Sequence, residues 1–305
     1  QNLIVSLLLG IVMGLGLAQL VETMDNSIKS LDDLNEVPGL VSLGTIPHMG
    51  QKSGKSSNGS NREEGQELLV HRKIRSDVAE ACRAIRTNII FTAANQSLKS
   101  FLVSSPGPGE GKTTTALSLG IVMAQAGSRV LVIDTDMRRP RLHRIFNVSG
   151  QEGLTSLLRG DDRDLADLCK STEVPNLYIL PCGPIPPNPA ELCQSERFKE
   201  VFDLLSGQFD RLIFDTPPVM YVTDAVVLST IVDGTVLVVR AGETSLASLQ
   251  ETTRNILDVK GKLFGCVLND NSPDAGKYYS KYGYYRRYGK KYGGYYQEES
   301  DEGST

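Results

Sequence analysis

The chain has 305 residues, of which 40% are apolar, and it sets 32 Lys and Arg against 36 Asp and Glu for a net charge of −4. That length and apolar share allow one α/β domain with appendages and a sizeable core, while the charge balance excludes a generic nucleic-acid binder. Five scattered cysteines without a C-x-x-C exclude a disulfide framework and fit reduced, mostly buried thiols, and His48, His71 and His143 are too dispersed for a His-based metal site.

In chain order, Leu3–Val21 is uncharged and apolar. As a helix it is ~28 Å long, close to the ~30 Å hydrocarbon core of a bilayer. A signal peptide is the alternative, but no basic segment precedes the apolar run. Residues 1–24 are therefore predicted to form a single transmembrane helix. Lys29, Lys52, Lys55, Arg62, Arg72 and Lys73 follow it, which places the remainder on the cytoplasmic side. Residues 25–66 read as a juxtamembrane segment and flexible linker. Ser27–Met49 suggests a short helix, a Pro-Gly turn and a strand, and the Gly/Ser/Lys/Asn-rich stretch 50–65 suggests a linker. Ser76 and Asp77 can cap the next helix, with Ile74, Val78, Ala81, Ile85 and Ile89 on one face and Glu80, Arg83 and Arg86 on the other.

Phe101–Val103 is a short apolar run of buried-strand type, followed by S-S-P-G-P-G-E-G-K-T-T-T. The candidate phosphate-binding set is Gly107, Pro108, Gly109, Glu110, Gly111, Lys112, Thr113 and Thr114. Glycines let backbone N–H groups approach a phosphate at a helix N-terminus. Lys112 can reach the β- and γ-phosphates of ATP, and the Thr113 hydroxyl can ligate Mg²⁺. The first glycine of the P-loop pattern is replaced by Pro106. Arg129–Asp136 and Asp210–Pro218 are buried strands ending in acids, and Leu177–Leu180, Thr235–Arg240 and Leu263–Asn269 are further strands. A helix is predicted from about Ala190 to Gly207 and another over Ser245–Lys260. Alternating strand and helix make residues 67–273 a doubly wound, mostly parallel α/β sheet of P-loop NTPase type, with its ligand at the carboxyl ends of the strands. Asp215 is placed to hold Mg²⁺. Asp134 and Asp136 lie two apart, so one can position the metal and the other can take a proton from an attacking hydroxyl; which does which is open.

Residues 274–305 interleave Tyr278, Tyr279, Tyr282, Tyr284, Tyr285, Tyr288, Tyr292, Tyr295 and Tyr296 with Gly, Lys and Arg, then close on Glu298, Glu299, Asp301 and Glu302. With no Leu, Ile, Val or Phe to bury, this tail is expected to be disordered.

Taken together, these motifs resemble the bacterial tyrosine kinases (BY-kinases) of the membrane-spanning polysaccharide co-polymerase type. SSPGPGEGKT is similar to that family's Walker A, VLVIDTDMR to its Walker A′ with Asp134, Asp136 and Arg138, and LIFDTPP to its Walker B with Asp215. EACRAIR is similar to its oligomerisation helix, giving Glu80, Arg83 and Arg86. LDDLNEVPGLVSLGTIP, GPIPPNPAEL and the tyrosine cluster also fit. The resemblance implies an ATP- and Mg²⁺-dependent protein-tyrosine kinase that autophosphorylates the nine tail tyrosines in trans within a ring of its own copies. It further implies a bacterial inner-membrane location, control of exo- or capsular polysaccharide polymerisation and export, an upstream extracytoplasmic region, and a phosphotyrosine phosphatase among the partners. Asn269 is the candidate adenine contact by similarity to related P-loop ATPases. The alternative is a partitioning or septum-site-type ATPase, which usually carries a second lysine where this chain has Gly107.

Overall fold

Short runs rich in β-branched and aromatic residues form the central strands, which are too apolar to leave either face in water. The computed structural model describes Ser6, residues 10–14, Gly16, and residues 25–48, 69–72, 76–93, 98–161 and 164–271. Most of Leu3–Val21, the linker 50–65 and the tyrosine cluster lie outside the described residues. Among those described, no helix is long and apolar enough to cross a membrane.

Eight strands form one sheet: β1 (Ser42–Pro47), β2 (Ser100–Ser104), β3 (Val130–Asp134), β4 (Lys170–Ser171), β5 (Leu177–Leu180), β6 (Arg211–Asp215), β7 (Thr235–Arg240) and β8 (Leu263–Asn271). Their order is β1-β8-β7-β2-β6-β3-β5-β4, parallel except for the short edge pair β4–β5. Residues 25–48, assigned to the juxtamembrane segment from sequence, thus supply an edge strand of this same sheet.

Alternation along the strands sorts side chains to the two faces. Phe101, Val103, Val130, Val132 and Ile213 point to the side covered by the helices Asp77–Thr92 and Lys112–Gln125. Leu102, Leu131, Ile133, Leu212 and Phe214 point to the other, under the helices Leu154–Arg159 and Glu196–Gln208. Burying each such side chain contributes about 1.5–3 kcal/mol. The P-loop helix lies close on the sheet at Gly120, where a Cβ would stand 2.9 Å from Val132 Cγ2.

Several expectations are refined. The helix predicted from Ala190 to Gly207 is two helices, Pro189–Gln194 and Glu196–Gln208. Ser195 is extended between them and accepts from the Phe198 N–H, so it caps the second rather than continuing the first. The buried side of Asp77–Thr92 runs through Ala79, Cys82, Ile85 and Ile89, centred on a small apolar cysteine and not on Ala81. All five cysteines are free and buried.

Candidate active site at the carboxyl ends of three strands

The loop leaving β2 is built by its own glycines and by one buried acid. Gly111 has φ +94°, and a Cβ there would fall 2.1 Å from Asn269 Nδ2, so glycine is required on both counts. Glu110 is buried; its Oε2 accepts from the Gly107 N–H (3.1 Å) and its Oε1 from the Thr244 hydroxyl (2.6 Å). Burial pushes this carboxyl's pKa up against those hydrogen bonds. Asn269 donates to the Glu110 carbonyl at 2.9 Å, which makes it a buttress of the loop. Pro108 and Gly109 are exposed, Gly107, Gly111, Lys112 and Thr114 are half-buried, and Thr113 is buried. The open tip and the helix start behind it leave N–H groups for a phosphate.

Strands β2, β6 and β3 are neighbours, so their ends converge. Asp134 and Asp215 are register partners across β3 and β6. Asp134 Oδ2 accepts from the Arg141 and Leu142 N–H groups at 2.9 and 3.0 Å. Asp136 turns the chain beyond β3, its Oδ1 accepting from the Arg139 N–H at 3.0 Å, while its Oδ2 lies 3.5 Å from Lys112 Nζ. Asp215 receives the Thr113 hydroxyl. Burial raises the pKa of both Asp134 and Asp215, and for Asp134 the Asp215 charge adds to it; Lys112 pulls Asp215 back down. Asp134 Oδ1 and Asp215 Oδ1 are buried and accept no hydrogen bond. Two orphaned carboxylate oxygens beside a threonine hydroxyl are hard oxygen donors of the kind Mg²⁺ selects, so the residues fit the metal.

With that geometry in view, likeness to known proteins decides the family. A family model described as an AAA domain matches residues 102–265, more than half of the chain. The chain is 39% identical over 207 residues to tyrosine-protein kinase YwqD of Bacillus subtilis (strain 168), covering 68% of this chain and 86% of that one. It is 38% identical over 217 residues to the putative tyrosine-protein kinase CapB of Staphylococcus aureus, covering 71% and 95%. The chain belongs to the bacterial tyrosine-protein kinases. The solved kinase domain of Escherichia coli tyrosine kinase ETK superposes on this kinase with a TM-score of 0.71 at 26% identity, covering 81% of this chain and 96% of that one.

In the kinase, Arg138 and the Glu80–Arg86 ladder have partners that the sequence did not reveal. The Arg138 guanidinium is held by Asp224, in a short helix after β6. Glu80 and Arg83 pair along their own helix at 2.7 Å, but Arg86 turns away and donates from Nη1 to the Val122 carbonyl at 2.8 Å. Val122 lies in the last turn of the P-loop helix, where carbonyls lack intrahelical partners, so Arg86 caps that helix. Arg86→Ala is expected to lower stability by about 1–2 kcal/mol, because a charge-assisted bond is lost. Glu80→Ala, which breaks the exposed local pair with Arg83, should cost under about 0.5 kcal/mol. Urea denaturation of the two variants measures the difference; equal midpoints would show that the cap is idle.

Proposed function

We propose that the kinase transfers the terminal phosphoryl group of ATP to tyrosine hydroxyls in the C-terminal cluster of an adjoining copy. The observation that carries this reading is the meeting, at three neighbouring strand ends, of a phosphate-cradling loop, a lysine 3.5 Å from one carboxylate, and two buried carboxylates with unused oxygens. Gly107 to Thr114 cradle the phosphates through backbone N–H groups. Lys112, which lies beside Asp136, turns its charge to the phosphate oxygens. Thr113 and Asp215, with whichever of Asp134 and Asp136 does not take the proton, would hold Mg²⁺, which would neutralise phosphate charge. A tyrosine oxygen attacks the γ-phosphorus as its bond to the bridging oxygen breaks; ADP leaves, and the phenolic proton passes to Asp134 or Asp136. Arg138 contacts the nucleotide, and Asn269 meets the base with the amide oxygen or second N–H that the Glu110 carbonyl leaves unused.

The wider assignment rests on the family resemblance and on the cluster's composition. A basic, tyrosine-dense segment offers many acceptors at high local concentration to an acidic cleft on a neighbour. Each phosphate adds about −1.5 to −2 charge, so repulsion from Asp134, Asp136 and Asp215 expels a modified segment. Copies assemble as a ring through the Glu80–Arg86 helix at the bacterial inner membrane, and the phosphorylation cycle, reset by a phosphotyrosine phosphatase, regulates polysaccharide polymerisation and export together with the extracytoplasmic region. Transfer between copies is tested by mixing. A copy with its nine cluster tyrosines changed to Phe is combined with a Lys112→Met copy that keeps them. Phosphotyrosine should appear on the Lys112→Met chain; an unmodified chain in the mixture, with the wild type active alone, would mean that transfer stays within one molecule.

A further inference from the structure

We propose that Asp224 is a positioning residue for phosphoryl transfer, acting through Arg138. Asp224 is fully buried, a place where a carboxylate survives only with a partner. That partner is one guanidinium edge: Arg138 Nε donates to Asp224 Oδ2 at 2.9 Å and Nη2 to Oδ1 at 3.3 Å. Such side-on, two-point contact fixes the plane of the guanidinium as well as its place. The other end of the residue is fixed too, since Asp136 Oδ1 accepts from the Arg138 N–H at 3.4 Å and from the Arg139 N–H at 3.0 Å. The Oδ2 of the same Asp136 lies 3.5 Å from Lys112 Nζ. Asp224, Arg138, Asp136 and Lys112 are therefore linked in series, through the Arg138 guanidinium and its backbone N–H, from the helix Asp224–Leu228 to the phosphate loop.

Arg138 is nonetheless not consumed by this pair. Its side chain is 45% exposed, and Nη1 is the donor that Asp224 does not engage. A guanidinium held along one edge, on a residue whose backbone is also fixed, is a preoriented donor for an anionic oxygen at the site's rim. Because the buried carboxylate offsets the guanidinium charge, the pair adds little long-range attraction for a nucleotide. Its contribution lies in holding a donor where charge develops during transfer, which acts on kcat more than on KM. Nothing in the motif reading points to Asp224, which lies 86 residues from Arg138.

The inference rests on the nucleotide-site reading above, and its test is a double-mutant cycle on the full chain: Asp224→Asn, Arg138→Gln and both together. Initial autophosphorylation rates are measured over a range of ATP, with nucleotide affinity and thermal unfolding measured directly. Asp224→Asn should lower kcat about tenfold or more while KM for ATP stays within about threefold. In the Arg138→Gln background the same change should cost less than about twofold, because the residue through which it acts is already gone. An equal loss in both backgrounds, or a wild-type kcat for Asp224→Asn, overturns the proposal. If Asp224→Asn does not fold, Asp224→Glu keeps the buried charge and shifts the guanidinium. It should lower kcat while KM for ATP stays within about threefold, and a wild-type rate there also overturns it. Failure of the underlying reading looks different: Lys112→Met would then bind nucleotide and phosphorylate as the wild type does.

Discussion

Lys112→Met should abolish autophosphorylation, a loss of about a hundredfold or more, while the protein keeps its fold. The Lys112 side chain is mostly buried and its near partner is a single carboxylate oxygen, Asp136 Oδ2 at 3.5 Å. Methionine matches its length but brings no charge to a phosphate, and interactions aimed at charge that grows in the transition state are the ones that set the rate. The fold survives loss of the ammonium because Asp136 keeps its N–H donors from Arg138 and Arg139, although the unfolding midpoint falls as Asp215 loses the charge that pulls its pKa down. Quantitative anti-phosphotyrosine detection and circular dichroism together check both halves. Retained phosphorylation of the cluster would remove the P-loop from the mechanism.

The second large effect is expected at Asp215. Its carboxyl faces that of Asp134 across two adjacent strands, with both groups buried and with one oxygen of each unsatisfied. Asp215→Asn should abolish transfer, since the metal loses a ligand, and yet stabilise the nucleotide-free protein by about 1–3 kcal/mol at neutral pH. The sign follows from the raised pKa values of the folded state. Between the ordinary carboxylate pKa of about 4 and the raised value, the native protein holds protons that the unfolded chain has lost, so stability falls as pH rises through that window. The wild type should therefore gain stability on acidification from neutrality toward about pH 4, and the variant should gain less. Mg²⁺ with ADP should stabilise the wild type more than the variant. Thermal melts over a pH series read all of this, and a variant less stable than wild type at pH 7 would mean that the pair carries no strain.

The strands were legible because parallel-sheet strands are short and apolar on both faces: Val130–Asp134 and Arg211–Asp215 announce themselves and end in their acids. The phosphate loop was legible because glycine spacing, Lys112 and Thr113 are contiguous. What the sequence did not show were contacts made over long separations by residues without a periodic signature. Asp224 sits in a five-residue helix just past the Pro217-Pro218 turn, and only the folded chain brings it to Arg138. Arg86 belongs to a charge ladder on paper, but its side chain is long enough to reach a neighbouring helix end. Glu110 reads as a loop residue, whereas its buried carboxyl joins Gly107 to Thr244, 134 residues away. Ser195 breaks a helix that periodicity alone continues, because a serine hydroxyl satisfies the next helix's N–H better than the running turn does.

The fate of the γ-phosphate tests the central claim most directly. The full chain is incubated with Mg²⁺ and γ-labelled ATP, and the label is located by mass spectrometry in wild type and Lys112→Met. Label on tyrosines between Tyr278 and Tyr296 in the wild type, and none in the variant, is the predicted result. Label recovered only as free phosphate, with every tyrosine unmodified, would contradict it.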